Sequence, residues 1–472
     1  MTGWDELLSA AMVGTARREF DLGSLDVAQV ETAEGAEASL LTATALLTGY
    51  RRAGWMPATW SGELPAAAET DDRPEATPAA LQVLELLLDR SLQLEGGPDM
   101  LIRRWLAACV AADRRVPAHL VVPLLRFGTA NAGIRDHVRA VTGRRGAWLA
   151  VHNPQWTWAV RDHPDVDRFA TASRSERLAI LTYVRQVDPA RGRALVEDTW
   201  PSEQAASRAA LLDALATGLG DDDESFLEQA LDDRGATVRA AAAALLDRLP
   251  NSRRARRMAE RTAAFVTITK KKVHVELPEQ LDQSARRDGI TDRREPGHGG
   301  RVSWLIQLLG ATPLSTWGAD PDHAVKLAPP EVRTGWAKAA LRQRDQAWLA
   351  ALARNAPSPE LMSALEPATA TDILAGIPKL DARFGGLLAA CPGPWSAMFS
   401  VYLINRLRDG NAEHILALAG PTLAAELDPS ALPDTEAWVT YTGTDRRSAR
   451  RTLLGLVNAL SIRRTITQEF AR

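Results

Sequence analysis

One stretch of this sequence, residues 175–249, repeats the spacing of a buried helical face and constrains the fold more than any other feature. Near its end the apolar residues recur at intervals of three and one, as Val238, Ala241, Ala242, Leu245, Leu246 and Leu249. That spacing places them on one face of an α-helix. A shorter helix is predicted before this one. The acidic run Asp222-Asp223-Glu224 opens that shorter helix, because its carboxylates cap the free N–H groups of the first turn. The stretch therefore predicts short amphipathic helices packed in pairs.

The same stretch resembles HEAT repeats, which are two-helix units that stack into solenoids. The resemblance rests on Asp233 in a turn, on Val238-Arg239 in the following helix and on the alanine-rich face behind them. Arg208 precedes an earlier leucine pattern in the same way, with an offset of about thirty residues. The resemblance implies that Asp233 and Arg239 form a structural ladder between stacked repeats. We therefore expect an all-α fold, specifically a HEAT/ARM-like α-solenoid.

One segment departs from the helical pattern. From Val266 to Leu277 apolar and polar residues alternate around a run of lysines, which is typical of two short strands joined by a turn. A small β-hairpin inserted between helices is the simplest interpretation. The polar residues 278–301 that follow predict a long loop, and loops of that length are usually functional or disordered.

These patterns divide the chain of 472 residues into six segments. We expect an N-terminal helical segment, a surface linker, a helical region, the HEAT-like repeat block, the hairpin with its loop, and a C-terminal helical region. Their respective boundaries are 1–64, 65–78, 79–174, 175–265, 266–302 and 303–472. Within the first helical region, Gly143-Arg144-Arg145-Gly146 predicts an exposed basic turn.

Composition excludes several classes of protein. Lys and Arg number 56 against 59 Asp and Glu, so the net charge of −3 indicates no whole-chain preference for nucleic acid or membrane. Cys109 and Cys391 stand far apart, which disfavours a disulfide or zinc framework and fits a reducing compartment. The eight histidines show no metal-ligand spacing, so we expect neither a metal nor a cofactor.

The N-terminus lacks the basic start and apolar run of a signal peptide. No apolar run reaches the roughly 18 residues of a membrane span. We therefore expect a cytoplasmic protein with no membrane contact.

The strongest functional signal is a local cluster of positive charge. It comprises Arg253, Arg254, Arg256, Arg257, Arg261, Lys270, Lys271 and Lys272. Glu260 is the one acid within this segment. We expect the cluster to bind a partner, and the function that follows is a non-enzymatic protein-binding scaffold or adaptor.

Other interpretations of these features remain open. The cluster also fits a solvated helix face, or a nucleic-acid-binding or DNA-acting HEAT-repeat protein that contacts phosphates in a salt-dependent manner. A further hypothesis is an enzyme that works through the 278–301 loop with His274 or His298. The fourteen tryptophans fit either an aromatic groove or, as is more common, packing between long helices.

The whole chain also resembles an uncharacterised bacterial family of HEAT-like helical-repeat proteins. The resemblance rests on the opening Trp4…Gly14-Thr15…Arg17, on the block LDDRGATVRAAAAALLDRLP, and on LPEQLD…RRDGI before Trp304. That family is similar to proteins encoded beside MoxR-type AAA+ ATPases, von Willebrand A-domain proteins and SWIM zinc-finger proteins. The resemblance implies a protein partner near an ATPase-driven system, and it supplies no catalytic residues.

Overall fold

A computed structural model describes residues 2–21, 35–54, 65–160, 165–442 and 446–471 of the chain. These residues form helices joined by short connections and, in one place, a two-stranded antiparallel sheet. The predicted all-α fold with a small β-hairpin is therefore confirmed. The chain divides into two compact units, residues 1–67 and 68–472.

The described residues of the N-terminal unit form two helices, α1 (Thr2–Val13) and α2 (Ala36–Ala53). Leu7 and Ala43 are buried between them. The predicted N-terminal segment, residues 1–64, extends beyond these helices into positions that lie outside the described residues.

The second unit begins with helices that include the predicted repeat block. They are α3 (Pro78–Asp89), α4 (Pro98–Ala111), α5 (Ala118–Ala130), α6 (Arg135–Val151), α7 (Arg174–Val187), α8 (Pro189–Thr199), α9 (Ala205–Ala214), α10 (Glu224–Ala230), α11 (Ala236–Leu246) and α12 (Arg253–Ala263). Short 3₁₀ turns lie between them at Ala132–Ile134, Pro154–Ala159, Val166–Arg168, Trp200–Ser202 and Asp221–Asp223.

The hairpin and the C-terminal helices follow α12. The hairpin strands are β1 (Val266–Ile268) and β2 (Val273–Val275). The helices are α13 (Gln283–Arg287), α14 (Gly300–Ala311), α15 (Pro321–Leu327), α16 (Pro330–Gln343), α17 (Gln346–Asn355), α18 (Pro359–Ala364), α19 (Pro367–Ala375), α20 (Ala382–Ala389), α21 (Ala397–Asp409), α22 (Glu413–Glu426), α23 (Leu432–Tyr441) and α24 (Arg447–Phe470). Two 3₁₀ turns are Leu314–Trp317 and Pro429–Ala431.

Local sequence signals account for many helix starts. Ser173 forms a capping box with Glu176 at the start of α7, since each side chain bonds the other residue's backbone N–H. Asp188 accepts the backbone N–H of Arg191, with Pro189 at the first helical position of α8. Such caps satisfy donors that a helix leaves free, so the boundaries of these helices follow from the sequence.

The buried apolar residues of the second unit form two large clusters. One joins residues 76–159 to residues 305–466, and the other spans 169–249 in the predicted repeat block. Trp336 is fully buried in the first cluster, with ring centroids 5.6 Å from Trp317 and 4.9 Å from Trp348. These three tryptophans fill the space between helices and do not form an open aromatic groove.

The last helix returns to the beginning of the second unit. Helix α24 packs against α3, α4, α22 and α23. The rings of Trp105 and Phe470 meet edge to face at 5.3 Å, and the Thr77 hydroxyl donates to Glu469 at 2.7 Å. The C-terminal helix therefore covers the first helices of this unit.

The predicted linker, residues 65–78, is partly fixed to the second unit. The Ala76 N–H donates to Arg115 O at 2.9 Å, and Ala76 is buried. The predicted basic turn at Gly143 is wrong, because these residues lie inside α6. Gly143 has φ +54° and kinks the helix, and a Cβ there would lie 2.0 Å from an Asp71 carboxylate oxygen.

Candidate functional site

Helix α12 carries the predicted arginines, and its position in the fold directs several of them towards carboxylates. It packs on α14, and the short helix α13 lies close to its basic face. The centre of this arrangement is Asp288, whose side chain is 1% exposed. Two of the α12 arginines reach it, Arg257 through Nη2 at 2.6 Å and Arg261 through Nη1 at 2.6 Å.

The charge of Asp288 is stabilised by these contacts. Burial by itself would raise the pKa of the Asp288 carboxyl, but the hydrogen bonds from Arg257 and Arg261 outweigh it and hold the pKa below its usual value. Arg257 also bonds Glu228 of α10 at 3.1 Å. The two arginines therefore join α12 to α10 and to the turn after α13.

Arg254 is buried, which contradicts its predicted role in partner binding. Its side chain is 3% exposed, its Nε donates to Asp288 O at 2.8 Å, and Nη1 pairs with Asp247. Asp247 also accepts from Arg342 of α16 at 2.5 Å. A charge held in this way cannot reach a partner without leaving the interior, so Arg254 is structural.

Only part of the predicted cluster is exposed. Arg253 is half-exposed and bonds Glu224 through its backbone N–H at 2.6 Å, which is the main reason for the lowered pKa of Glu224. Arg256 is exposed on α12. The other exposed members are Lys270, Lys271 and Lys272 at the hairpin tip. Within the described ranges, these three lysines form no ion pair.

The hairpin holds this lysine tip in a defined position. The strands pair in the register Val266↔Val275, Thr267↔His274 and Ile268↔Val273. Val266 is buried, and Ile268, Val273 and Val275 pack partly against the main apolar cluster. His323 Nε2 of α15 donates to Lys270 O at 3.1 Å. One face of the hairpin is therefore anchored while its tip faces solvent.

Asp233 and Arg239, the two residues of the expected ladder, both make structural contacts, but they contact different groups. The Asp233 carboxylate lies 3.0 Å from Nε of Arg208, which comes from the preceding helix α9. Arg239 instead donates to the backbone oxygens of Asp233 and Arg234, at 2.8 and 3.0 Å. Arg239 therefore caps the turn that precedes its own helix, and Asp233 carries the contact to α9.

Two further ion pairs resemble the Arg208–Asp233 pair. Arg177 of α7 pairs with Glu203 before α9 at 2.5 Å, and Arg257 of α12 pairs with Glu228 of α10. In each case an arginine and an acid about one helix pair apart in sequence meet across two layers. The sequence shows these arginines and acids, but spacing alone does not identify the partner of each arginine.

Sequence reasoning missed the most buried of these contacts. Arg185 of α7 is 0% exposed and Asp223 is 2% exposed, and they pair at 2.7 Å. The guanidinium also donates to four backbone oxygens, those of Pro189, Leu215, Thr217 and Gly218. All of its donors are thus engaged inside the repeat block. No spacing or motif in the sequence distinguishes Arg185 from an exposed arginine.

A cleft of about 1360 Å³ lies between α6 and α7. It exceeds the roughly 300–1,000 Å³ of typical small-molecule pockets. Its arginines are already paired, Arg73 with Asp71 at 2.7 Å, Arg144 with Glu69 at 2.7 Å, and Arg139 with Asp136. The cleft therefore offers less free charge than the hairpin tip.

The groups that suggested chemistry do not converge in the described structure. Cys109 and Cys391 are buried, and burial raises the pKa of each thiol to about 12, so both stay protonated and unreactive. His274 is exposed on β2, while His298 is half-buried before α14. Among the described residues, no three His, Cys, Asp or Glu side chains are grouped to hold a metal ion.

Side-chain contacts at Arg301 and Glu295 hold the 278–301 segment against the rest of the structure. Arg301 Nε donates to Pro278 O at 2.8 Å, and Lys338 of α16 pairs with Glu295 at 2.6 Å. The short helix α13 lies within it.

No helix in the described part of the chain is both long and apolar enough to cross a membrane.

The fold and this surface define an all-α protein of stacked, ion-paired helices with one inserted hairpin that presents a basic tip. The sequence matches DUF5691, a family of unknown function, over residues 6–470, and the chain therefore belongs to that family. Comparison with curated proteins and with solved structures gave no match.

Proposed function

We propose that this protein is a non-enzymatic scaffold that binds the acidic surface of a protein partner through its hairpin tip. The observation that carries the proposal is the contrast within the basic cluster. Arg254, Arg257 and Arg261 are paired with internal carboxylates, whereas Lys270–Lys272 are exposed and form no ion pair within the described residues. An unpaired cluster of one sign steers a partner of opposite charge.

The sequence resemblance suggests which partner to test first. A MoxR-type AAA+ ATPase or a von Willebrand A-domain protein is the partner that we propose, and the cytoplasm is the compartment. The layered helices would then act as a rigid support for the hairpin, since its apolar face is packed on the main cluster.

Nucleic acid is the alternative ligand of the same tip. Phosphate binding draws on several free cations. Three of the eight predicted cations are held by carboxylates, since the side chains of Arg254, Arg257 and Arg261 are only 3%, 29% and 17% exposed. This alternative therefore has less support than a protein partner. Its binding would fall steeply with salt, which distinguishes it from a protein partner in the experiment that follows.

The test is a tagged purification of the full chain from its host after nuclease treatment, read by mass spectrometry. The variant replaces Lys270, Lys271 and Lys272 by Glu. We expect the wild type to capture a protein in stoichiometric amount. The variant should capture at least about tenfold less of that protein, because the attraction between the tip and an acidic partner becomes repulsion.

The matched control reverses three exposed arginines elsewhere, Arg191→Glu, Arg234→Glu and Arg451→Glu. It changes the net charge equally and should leave capture intact. Equal loss in both variants would mean that net charge alone governs capture. Full capture by the lysine variant would exclude the tip as the binding surface. Recovery of nucleic acid alone would favour the alternative.

A further inference from the structure

We propose that the hairpin binds its partner by strand addition, in which an extended acidic segment pairs with the outer edge of β2. This inference deepens the proposed function and rests on it. The charge of the tip explains attraction to an acidic partner but does not specify how the partner binds. The inference assigns that role to backbone groups of β2.

The register identifies which backbone groups face outwards. Thr269 N–H donates to Lys272 O at 3.0 Å and Glu276 N–H donates to Phe265 O at 2.8 Å. Hydrogen-bonded pairs alternate with non-hydrogen-bonded pairs in an antiparallel ladder. The Thr267↔His274 pair therefore bonds inwards. Val273 and Val275 direct their N–H and C=O groups away from β1.

These outward groups have no partner in the part of the chain that the structure describes. No hydrogen bond involves the backbone of Val273 or Val275 outside the strand pair. Unpaired edge groups are a template for a further strand. The β1 edge is less suitable, because Val266 is 4% exposed and α12 packs against that strand.

The surroundings of β2 specify the chemistry of the added segment. Lys270–Lys272 lie at one end of the edge and the exposed Glu276 lies at the other. The segment should therefore place its acids beside the tip. Alternate residues would face the same side as Val273 and Val275, which pack against the apolar cluster, so we expect apolar residues at every second position. A hairpin of two strands is marginal alone, and a third strand stabilises it.

The test begins with display selection of random dodecapeptides against the purified full chain. We expect enrichment of proline-poor peptides in which acids adjoin alternating apolar residues. Affinity of a selected peptide should fall about tenfold in Val273→Pro, which removes one outward N–H. The control is at Ile268, the cross-strand partner of Val273. The variant Ile268→Pro removes an outward N–H from the opposite edge of the hairpin and should leave the affinity for the peptide unchanged.

A second measurement does not depend on how either variant folds. N-methylation along the selected peptide should abolish binding at alternate positions only, as a strand with one paired edge requires. Enrichment of no acidic peptide, or a methylation pattern without this alternation, would overturn strand addition. So would equal affinity for Val273→Pro and wild type.

The two proposals fail in different ways. If the lysine variant loses the captured protein while the selected peptides ignore the β2 edge, the scaffold stands and strand addition falls. If the purification captures no protein, the scaffold itself falls, whatever the peptides do.

Discussion

Single arginines in this protein differ in role according to burial, not according to position in the sequence. Arg254 and Arg256 are two residues apart on α12, and yet Arg254 is 2% exposed while Arg256 lies in solvent. Arg185 is fully buried with every donor engaged. A buried and satisfied arginine contributes to structure, and an exposed one is available to bind.

Replacing Arg185 by Leu should cost about 3–5 kcal/mol of unfolding free energy, because Asp223 would remain buried beside a weaker partner. Arg193 lies 3.2 Å from the same carboxylate and is the cation that remains. Urea unfolding followed by circular dichroism measures the change. The control Arg191→Leu, at an exposed position, should stay within about 0.5 kcal/mol of wild type. Equal midpoints for the two variants would contradict this account.

Asp71 gives a prediction that depends on pH. Hydrogen bonding from Arg73 lowers its pKa from 3.8 to about 2. The folded pKa lies below the unfolded one, so the stabilisation is complete above about pH 4 and disappears as pH falls through about 2. Asp71→Asn should therefore cost about 2 kcal/mol at pH 7 and almost nothing near pH 2.

The measurement is urea unfolding of both proteins across that range. The neighbouring Asp72→Asn tests the background, because Asp72 is exposed. A constant difference between Asp71→Asn and wild type at every pH would show that the ion pair with Arg73 is not responsible.

At the scale of elements, α12 has two faces with separate roles. The inward face holds Arg254, Arg257 and Arg261 against acids of neighbouring elements, and the outward face carries Arg256. Reversal of the whole cluster would therefore disturb the fold and any binding together. Single reversals on each face separate the two effects.

Arg254→Glu should lower the unfolding free energy by about 3–5 kcal/mol, because it places a second carboxylate beside buried Asp247. Arg256→Glu should change it by no more than about 0.5 kcal/mol. Thermal melts of both variants in one buffer provide the check. Similar melting temperatures for the two would mean that α12 has no such division.

At the scale of the whole second unit, the C-terminal helix joins the two ends of the helical array. The last turns of α22 receive donors from both ends, since Arg104 of α4 donates to Ala425 O at 2.5 Å and Arg463 of α24 donates to Ala424 O at 3.0 Å. Contacts between residues more than 300 positions apart thus support one continuous core. Residues 169–249 form a second, separate apolar cluster.

Truncation of the chain before residue 447, which removes α24, should raise amide hydrogen exchange in α3, α4 and α22, because their buried faces lose their cover. Helices α9 and α11 should keep their protection, because they belong to the other apolar cluster. Hydrogen exchange read by mass spectrometry resolves the regions. The exposed substitution Arg464→Ala is the control and should change neither. Uniform loss across both clusters would contradict two separable cores.

The sequence by itself determined the local elements of this protein. The three-and-one spacing of Val238 to Leu246 was sufficient for α11, although the pattern continues to Leu249, three residues beyond the end of the helix. The alternation around Lys270–Lys272 was sufficient for the hairpin. These features depend on neighbours within a few residues, so their physical causes are present in any short window of sequence.

Only the tertiary structure decided which charged side chains are unpaired and which early helices the C-terminal helix packs against. Asp288 lies 31 residues from Arg257 and Glu469 lies 392 residues from Thr77. An arginine's chemistry is the same in either setting, and its role depends on whether packing brings a carboxylate to it and removes the water. That information resides in long-range contacts, which spacing along one chain does not encode. The helices and the hairpin therefore followed from the sequence, whereas the division of the basic cluster into an internal ion network and an exposed tip required the fold.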